Sequence, residues 1–336
     1  MEVERIGLEE WRDALPSSGF EVFHHPDVLS VLDAHTDSEL RLYGGFKGQQ
    51  AVALVPVWVS ERAVGKAVLS PPPSMTVPRL GPLVMPNSPK RRKKEKLHGE
   101  VVDALVEDLT IDDTKTLFRM SCPLGFEDPR PFRWHGLDVD TLFTYVVDAE
   151  DGDIDDVMKS FSRSLRRDMR KLNEVPMSVE VGGLDAAMTV YDDLTARYEE
   201  QDETPPATAP LVRDIVRNLD SSRCRTYVAR DDAGDYLGGI VVLYSNDHAY
   251  YWLGGARVTR ENVSVNTLLH RVILEDVLND EELESVTGYD LMGANTERIC
   301  KYKAKFNGEL VPYHVAESDS VVMSGAKMAY QRLLNR

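Results

Sequence analysis

Apolar and polar residues alternate over residues 40–46 and 51–60, a period of two that predicts two strands, and Lys47-Gly48-Gln49 between them predicts a hairpin turn. A third strand near 67–70 runs into a proline-rich loop at 71–82. The period then lengthens to that of a helix over 90–108, and strands follow at 116–121 and 141–147. Beyond the acidic stretch 148–156 a similar order of elements returns. Helices are predicted at 154–173, 184–201 and 209–219, and a hairpin at 225–230 and 236–244 about the turn 231–235. A strand at 248–255 leads into a helix over 261–278. Residues 286–316 read as strand, small-residue loop, short basic helix and strand, and 322–334 as a last helix. The expected fold class is α/β (α+β), in two units at 1–150 and 151–336, each with a mixed sheet flanked by helices and long enough to bury a core. The repetition is one of element order, not of residues.

Composition narrows the setting. No run of 18 apolar residues exists, and the N-terminus lacks the basic-then-apolar pattern of a signal peptide. Cys122, Cys224 and Cys300 are odd in number and far apart, which points to free thiols and a cytoplasmic location. The formal charge is −17, and 26 of the 39 basic residues are arginine. Dispersed acidity with little lysine suits a halophile's salt-rich cytoplasm, and an ordinary acidic protein is the alternative. Such a charge opposes nucleic acid as a partner unless local patches carry the binding. Two basic patches exist: Arg163, Arg166, Arg167 and Arg170 at helical spacing, and residues 90–96 at a predicted helix start. Each reads either as a site for a phosphate-bearing partner, such as tRNA or a nucleotide- or lipid-linked precursor, or as a solvated face.

No Gly-x-Ser-x-Gly elbow and no His-Glu-x-x-His spacing occur, so neither a covalent nucleophile nor a metal is expected. The strand that ends at Gly254 and Gly255 meets a helix start, an arrangement suited to a pyrophosphate or a developing oxyanion, or simply to a turn. Trp252 and Asn266 flank that junction as substrate-binding candidates. Asp290 lies among apolar neighbours and is either hydrogen-bonded structure or a base of raised pKa. His314, on a predicted strand, reads as a core histidine.

Hairpin, strand, glycine loop, helix, strand, helix, strand is an order that resembles GNAT-type acyltransferases. Several segments bring the chain near the FemAB-like branch: the basic stretch 160–171, Tyr198 to Pro205, Tyr289-Asp-Leu-Met-Gly293, Lys301-Tyr-Lys-Ala-Lys-Phe-Asn-Gly308, Leu54 to Trp58 and Arg79-Leu-Gly-Pro82. The resemblance spans most of residues 20–316 in short motifs. It implies two GNAT-like units facing a cleft, and transfer of an acyl or aminoacyl group to an amine, with acyl-CoA (acetyl-CoA) or aminoacyl-tRNA as donor. The acceptor it implies is an envelope or glycan precursor. Alternatives are an acetyl-CoA-dependent N-acetyltransferase of a small amine and a non-catalytic binding scaffold. On this resemblance Lys303 serves the oxyanion or a donor phosphate, Tyr302 the leaving group or packing, and Arg166 and Tyr198 the substrate. Gly254, Gly255 and Arg257 would bind the donor. Yet Arg257-Val-Thr-Arg-Glu261 replaces the usual glycine-rich pyrophosphate loop, which weighs against acetyl-CoA. Lys301 and Lys305 share one helix face and Lys303 points elsewhere, so the three cannot line one pocket.

Overall fold

The computed structural model describes residues 1–62, 65–150 and 152–318. The first half runs β1 (Glu2–Ile6), α1 (Leu8–Ala14), α2 (Pro26–Ala34), β2 (Glu39–Lys47), β3 (Gln50–Arg62), β4 (Gly65–Ser70), β5 (Leu83–Val84), α3 (Arg91–Leu109), β6 (Thr116–Ser121), α4 (Arg130–Trp134) and β7 (Leu137–Asp148). The second continues with α5 (Ile154–Ser160), α6 (Arg163–Lys171), β8 (Met177–Gly182), α7 (Leu184–Glu199), α8 (Ala209–Asn218), β9 (Cys224–Asp231), β10 (Tyr236–Tyr244) and β11 (His248–Gly254). It closes with β12 (Thr259–Arg260), β13 (Val263–Ser264), α9 (Val265–Asn279), β14 (Gly288–Asp290), α10 (Glu297–Lys303) and β15 (Glu309–Ser318). The α/β class with a mixed sheet flanked by helices is the one expected. None of the described helices is long and apolar enough to cross a membrane.

Where expectation and structure part, local chemistry explains it. The helix expected over 154–173 breaks at Phe161, which is extended. Ser162 then caps α6 by accepting the Leu165 N–H at 3.3 Å. The helix expected from 261 begins at Val265, because Glu261 and Asn262 hold positive φ and turn 259–264 into the β12–β13 pair. Edge strands β1 and β8 bury little and are not among the expected elements, although Met177, Val179 and Val181 alternate with polar residues along β8. The helix expected at 322–334 lies outside the described residues.

Strands from both halves form one continuous sheet in the order β1-β2-β3-β4-β6-β15-β7-β14-β11-β10-β9-β8, with β5 on β3. The last strand, β15, lies antiparallel between β6 and β7 of the first half, and β7 in turn pairs with β14. Among the described residues only β4–β6 and β11–β14 are parallel pairs. Helices cover both faces. One core packs α1 and α2 against α7, α8 and the β10–β11 face, so Trp11, Phe23 and Leu29 share it with Leu211, Val212 and Tyr250. A second lies under α5, α6 and α9, and a third under α3 and α4. Between the halves, near the C-terminal ends of β4, β6 and β11, a cleft stays open. Strand ends of this kind are where ligands of α/β folds bind.

Candidate active site

The cleft holds a pocket of about 910 Å³. One wall is the proline-rich loop 71–78 with Ser70, Ser121 and Arg119 at the ends of β4 and β6, and the other is Tyr251, Trp252, Gly254, Leu194 and Tyr198. Met292, Gly293, Arg298, Tyr302, Lys303 and Tyr313 line the pocket as well. The indole N–H of Trp252 donates to the Thr76 carbonyl at 3.0 Å, tying the two walls together.

Lys303 is 8 % exposed, whereas Lys301 on the same short helix and Lys305 on the turn after it stay in solvent. Its Nζ donates to the carbonyls of Met292 at 2.6 Å and Gly293 at 3.0 Å. An ammonium has three donors, so one N–H remains for a pocket ligand. Burial lowers its pKa to about 8, against a partial opposing pull from Asp290. Both carbonyls reach the lysine because Met292 and Gly293 turn through positive φ, +59° and +87°. For methionine that is an uncommon conformation which its surroundings must enforce.

Those surroundings are a buried ionic chain. Asp290 pairs with Arg79, accepts from Thr144 Oγ1 at 2.5 Å, and accepts the Met292 N–H at 2.7 Å. Thr144 Oγ1 also accepts the Gly293 N–H at 2.9 Å. Arg79 reaches on to Glu21 at 2.9 and 3.1 Å and lies over the Tyr313 ring. Burial would raise the Glu21 pKa, yet the charge and hydrogen bonds of Arg79 outweigh it and leave Glu21 at about 2. Asp290 is therefore engaged on both oxygens and absent from the pocket lining, which leaves it no free position to take a proton from an amine. Of the two readings that its apolar neighbours allowed, the geometry is that of structure.

Behind Tyr302 lies a second network. The Ala256 N–H donates to Asn266 Oδ1 at 3.0 Å, which fixes which end of that amide is oxygen. Asn266 Nδ2 then donates to the Tyr302 hydroxyl at 2.7 Å and to His270 Nε2 at 3.1 Å. With Nε2 accepting, the His270 proton sits on Nδ1, 2.9 Å from the Tyr289 hydroxyl. Burial, and then the nearby Lys303 charge, lower His270 to about 3, so the ring is neutral. Tyr302 is held protonated by burial, which raises its pKa. Its oxygen accepts from Asn266, so its own proton is left for the pocket.

Of the sequence candidates, Lys303, Tyr302, Trp252, Gly254 and Tyr198 meet at this pocket, with Asn266 directly behind. Gly255 and Arg257 do not line it. Arg257 is exposed, 3.6 Å from Glu200. Arg166 lies on a separate basic face of α6. Sequence reasoning did not mark Tyr251, Glu21, Thr144 or His270, and it named Arg79 only within the Arg79-Leu-Gly-Pro82 motif, without a role. Only His270 had a usable signal, four residues after Asn266 on one helix face.

The glycine junction does not form a pyrophosphate cradle. The Gly255 N–H is spent on the Gly239 carbonyl at 2.7 Å, Ala256 N–H on Asn266, and Val265 N–H on the Val258 carbonyl at 3.0 Å. A side chain at Gly254 would strike Gly239 O, and one at Gly255 the Tyr251 hydroxyl, so both glycines serve close internal packing. At Gly255, Ala256 and Val265 the junction therefore offers no free N–H to the pyrophosphate of acyl-CoA.

Residues 159–304 match a family model described as an acetyltransferase (GNAT) domain. Among solved structures, FemX superposes with a TM-score of 0.67 at 11 % identity, over 94 % of this chain and 97 % of that one. The C-terminal domain (DUF2156) of a putative lysylphosphatidylglycerol synthetase from Agrobacterium fabrum gives 0.58 at 13 %, over 97 % and 96 %. A tandem GNAT protein from the clavulanic acid biosynthesis pathway gives 0.50 at 14 %, over 95 % and 99 %. No curated protein matches the chain. At such identities the likeness is one of fold, and it agrees with the tandem GNAT-like arrangement that the motifs suggested.

Proposed function

We propose that this GNAT-fold chain, with units at 1–150 and 151–336, transfers an aminoacyl group directly to an amine, with an envelope or glycan precursor as acceptor. The observation that carries the reading is Lys303, a buried cation clamped by two carbonyls beside Tyr302 in a pocket between the halves. A neutral amine attacks the ester carbonyl. The free N–H of Lys303 stabilises the oxyanion, and the Tyr302 hydroxyl gives its proton to the departing oxygen. The ammonium proton of the adduct then restores Tyr302, so no covalent enzyme intermediate is needed. The committed N–H groups of the glycine junction favour an aminoacyl ester over acyl-CoA. Rim arginines Arg119 and Arg298 suit an anionic acceptor.

The test is single-turnover transfer from labelled aminoacyl-tRNA, and separately from acetyl-CoA, to amine acceptors in buffers up to molar potassium chloride. Acceptor-dependent loss of the aminoacyl ester that disappears in Lys303→Ala is the expected result. Transfer from acetyl-CoA alone would instead establish the small-amine N-acetyltransferase, and silence with both donors a binding scaffold.

A further inference from the structure

In a chain of charge −17, α6 keeps an uncompensated positive face. Arg163, Arg166, Arg167, Arg170 and Lys171 line one hollow with a single carboxylate, Glu174. Among the described residues the one ion pair these five cations make is Arg167 with its neighbour Asp168, at 3.2 Å. Acidic side chains outnumber basic ones 56 to 39, so pairing partners were abundant and the face was left open. Arg163 also stands in the first helical turn, where a cation opposes the helix dipole.

We propose that this face of α6 binds the phosphate backbone of an RNA. Arginine, four of the five cations, presents a planar fork that pairs with phosphate through two hydrogen bonds. An anionic membrane fits less well. Surface-seeking helices put apolar side chains beside the basic face, whereas Leu165 and Met169 of α6 are buried in the core. The start of α6 also touches the segment that follows Lys303. The Ser162 N–H donates to the Lys305 carbonyl at 2.8 Å and Phe161 packs on Phe306, so α6 is braced against the segment that carries Lys303. This proposal rests on the aminoacyl reading only for what the RNA carries.

The experiment is filter binding of deacylated tRNA to the whole chain across a salt series. The variants are Arg163→Gln/Arg167→Gln/Arg170→Gln and, as a control on α8, the exposed Arg217→Gln, and phosphatidylglycerol vesicles serve as competing probe. Wild type is expected to bind with affinity falling steeply in salt. The triple variant should bind at least about tenfold more weakly, with a log–log salt slope shallower by about two to three. Arg217→Gln should bind like wild type. All three arginines are exposed, and the single Arg163→Gln, checked by thermal melting, separates lost binding from lost folding. Equal binding by wild type and triple variant overturns the proposal, as does absence of tRNA binding, with or without binding to vesicles. Binding of tRNA through these arginines without any aminoacyl transfer sustains the surface and removes the reaction proposed above.

Discussion

Arg79 and Asp290 meet between the two halves of the chain with both side chains fully buried. Removing one member of a buried pair strands the other's charge, at a cost of about 3–5 kcal/mol. Asp290→Leu is therefore expected to lose that much in urea denaturation. It should also free the Met292 N–H, loosen the turn whose carbonyls hold Lys303, and shift the Lys303 titration. A loss under about 1 kcal/mol would show that Asp290 is no strut.

Lys303 supplies a charge that depends on pH. Its pKa is lowered from 10.5 to about 8, so the ammonium persists below about 8 and is lost above it. Rate is expected to fall on the alkaline side of pH 8. Lys303→Arg should abolish that fall, and Lys303→Ala should cost about 10²–10³ in rate at neutral pH. A wild-type profile flat to pH 10 contradicts the role. The same shift bears on stability: holding the buried ammonium destabilises the fold below pH 8, and that cost is relieved as pH rises from 8 toward 10.5.

Tyr302→Phe keeps the ring and removes the proton. Rate should drop about 10²–10⁴-fold with an aminoacyl ester, whose alkoxide leaving group needs protonation, and much less with an activated aryl ester. Equal losses with both donors would make Tyr302 a packing residue.

His270 gives an acid-side signature. Its folded pKa of about 3 lies below the ordinary 6.5, so below pH 6.5 the unfolded chain takes up a proton that the folded one refuses. Stability present above pH 6.5 is thus lost as pH falls toward 3, and Glu21 adds a further loss between 4.5 and about 2. His270→Gln should flatten the melting temperature between pH 6.5 and 5, and unchanged pH dependence would refute the assignment.

Trp252→Phe breaks the hydrogen bond to Thr76 while filling most of the space. With the proline-rich wall untied, KM for the acceptor should rise by about three- to tenfold with kcat little changed, in keeping with about 0.5–1.5 kcal/mol for one such bond. An unaltered KM would show that the loop stands without it.

The sequence announced what depends on near neighbours. Alternation marked both hairpins, helical spacing marked α3 and α7, and the lysine-bearing segment stood out by composition. Distant pairings left no such trace. Arg79 read as part of a proline-rich loop, since nothing local places it against a carboxylate 211 residues later. The glycines at 254 and 255 looked made for a ligand because sequence shows flexibility, not what already occupies the space. Asp290 illustrates the same limit: its apolar neighbours indicated burial, but only its three partners decided between base and strut.

The place of β15 bears on how the chain comes to be folded. Strands β6 and β7 leave the ribosome early, yet the strand that joins them is among the last described residues made. Until it arrives, two sheet edges stand exposed, open to a wrong neighbour. The cleft, whose floor includes Tyr313 on that strand, is completed only once that strand has been made. A nascent or truncated chain ending before residue 309 should therefore be both inactive and adhesive, and a chaperone that covers β6 and β7 would serve it best.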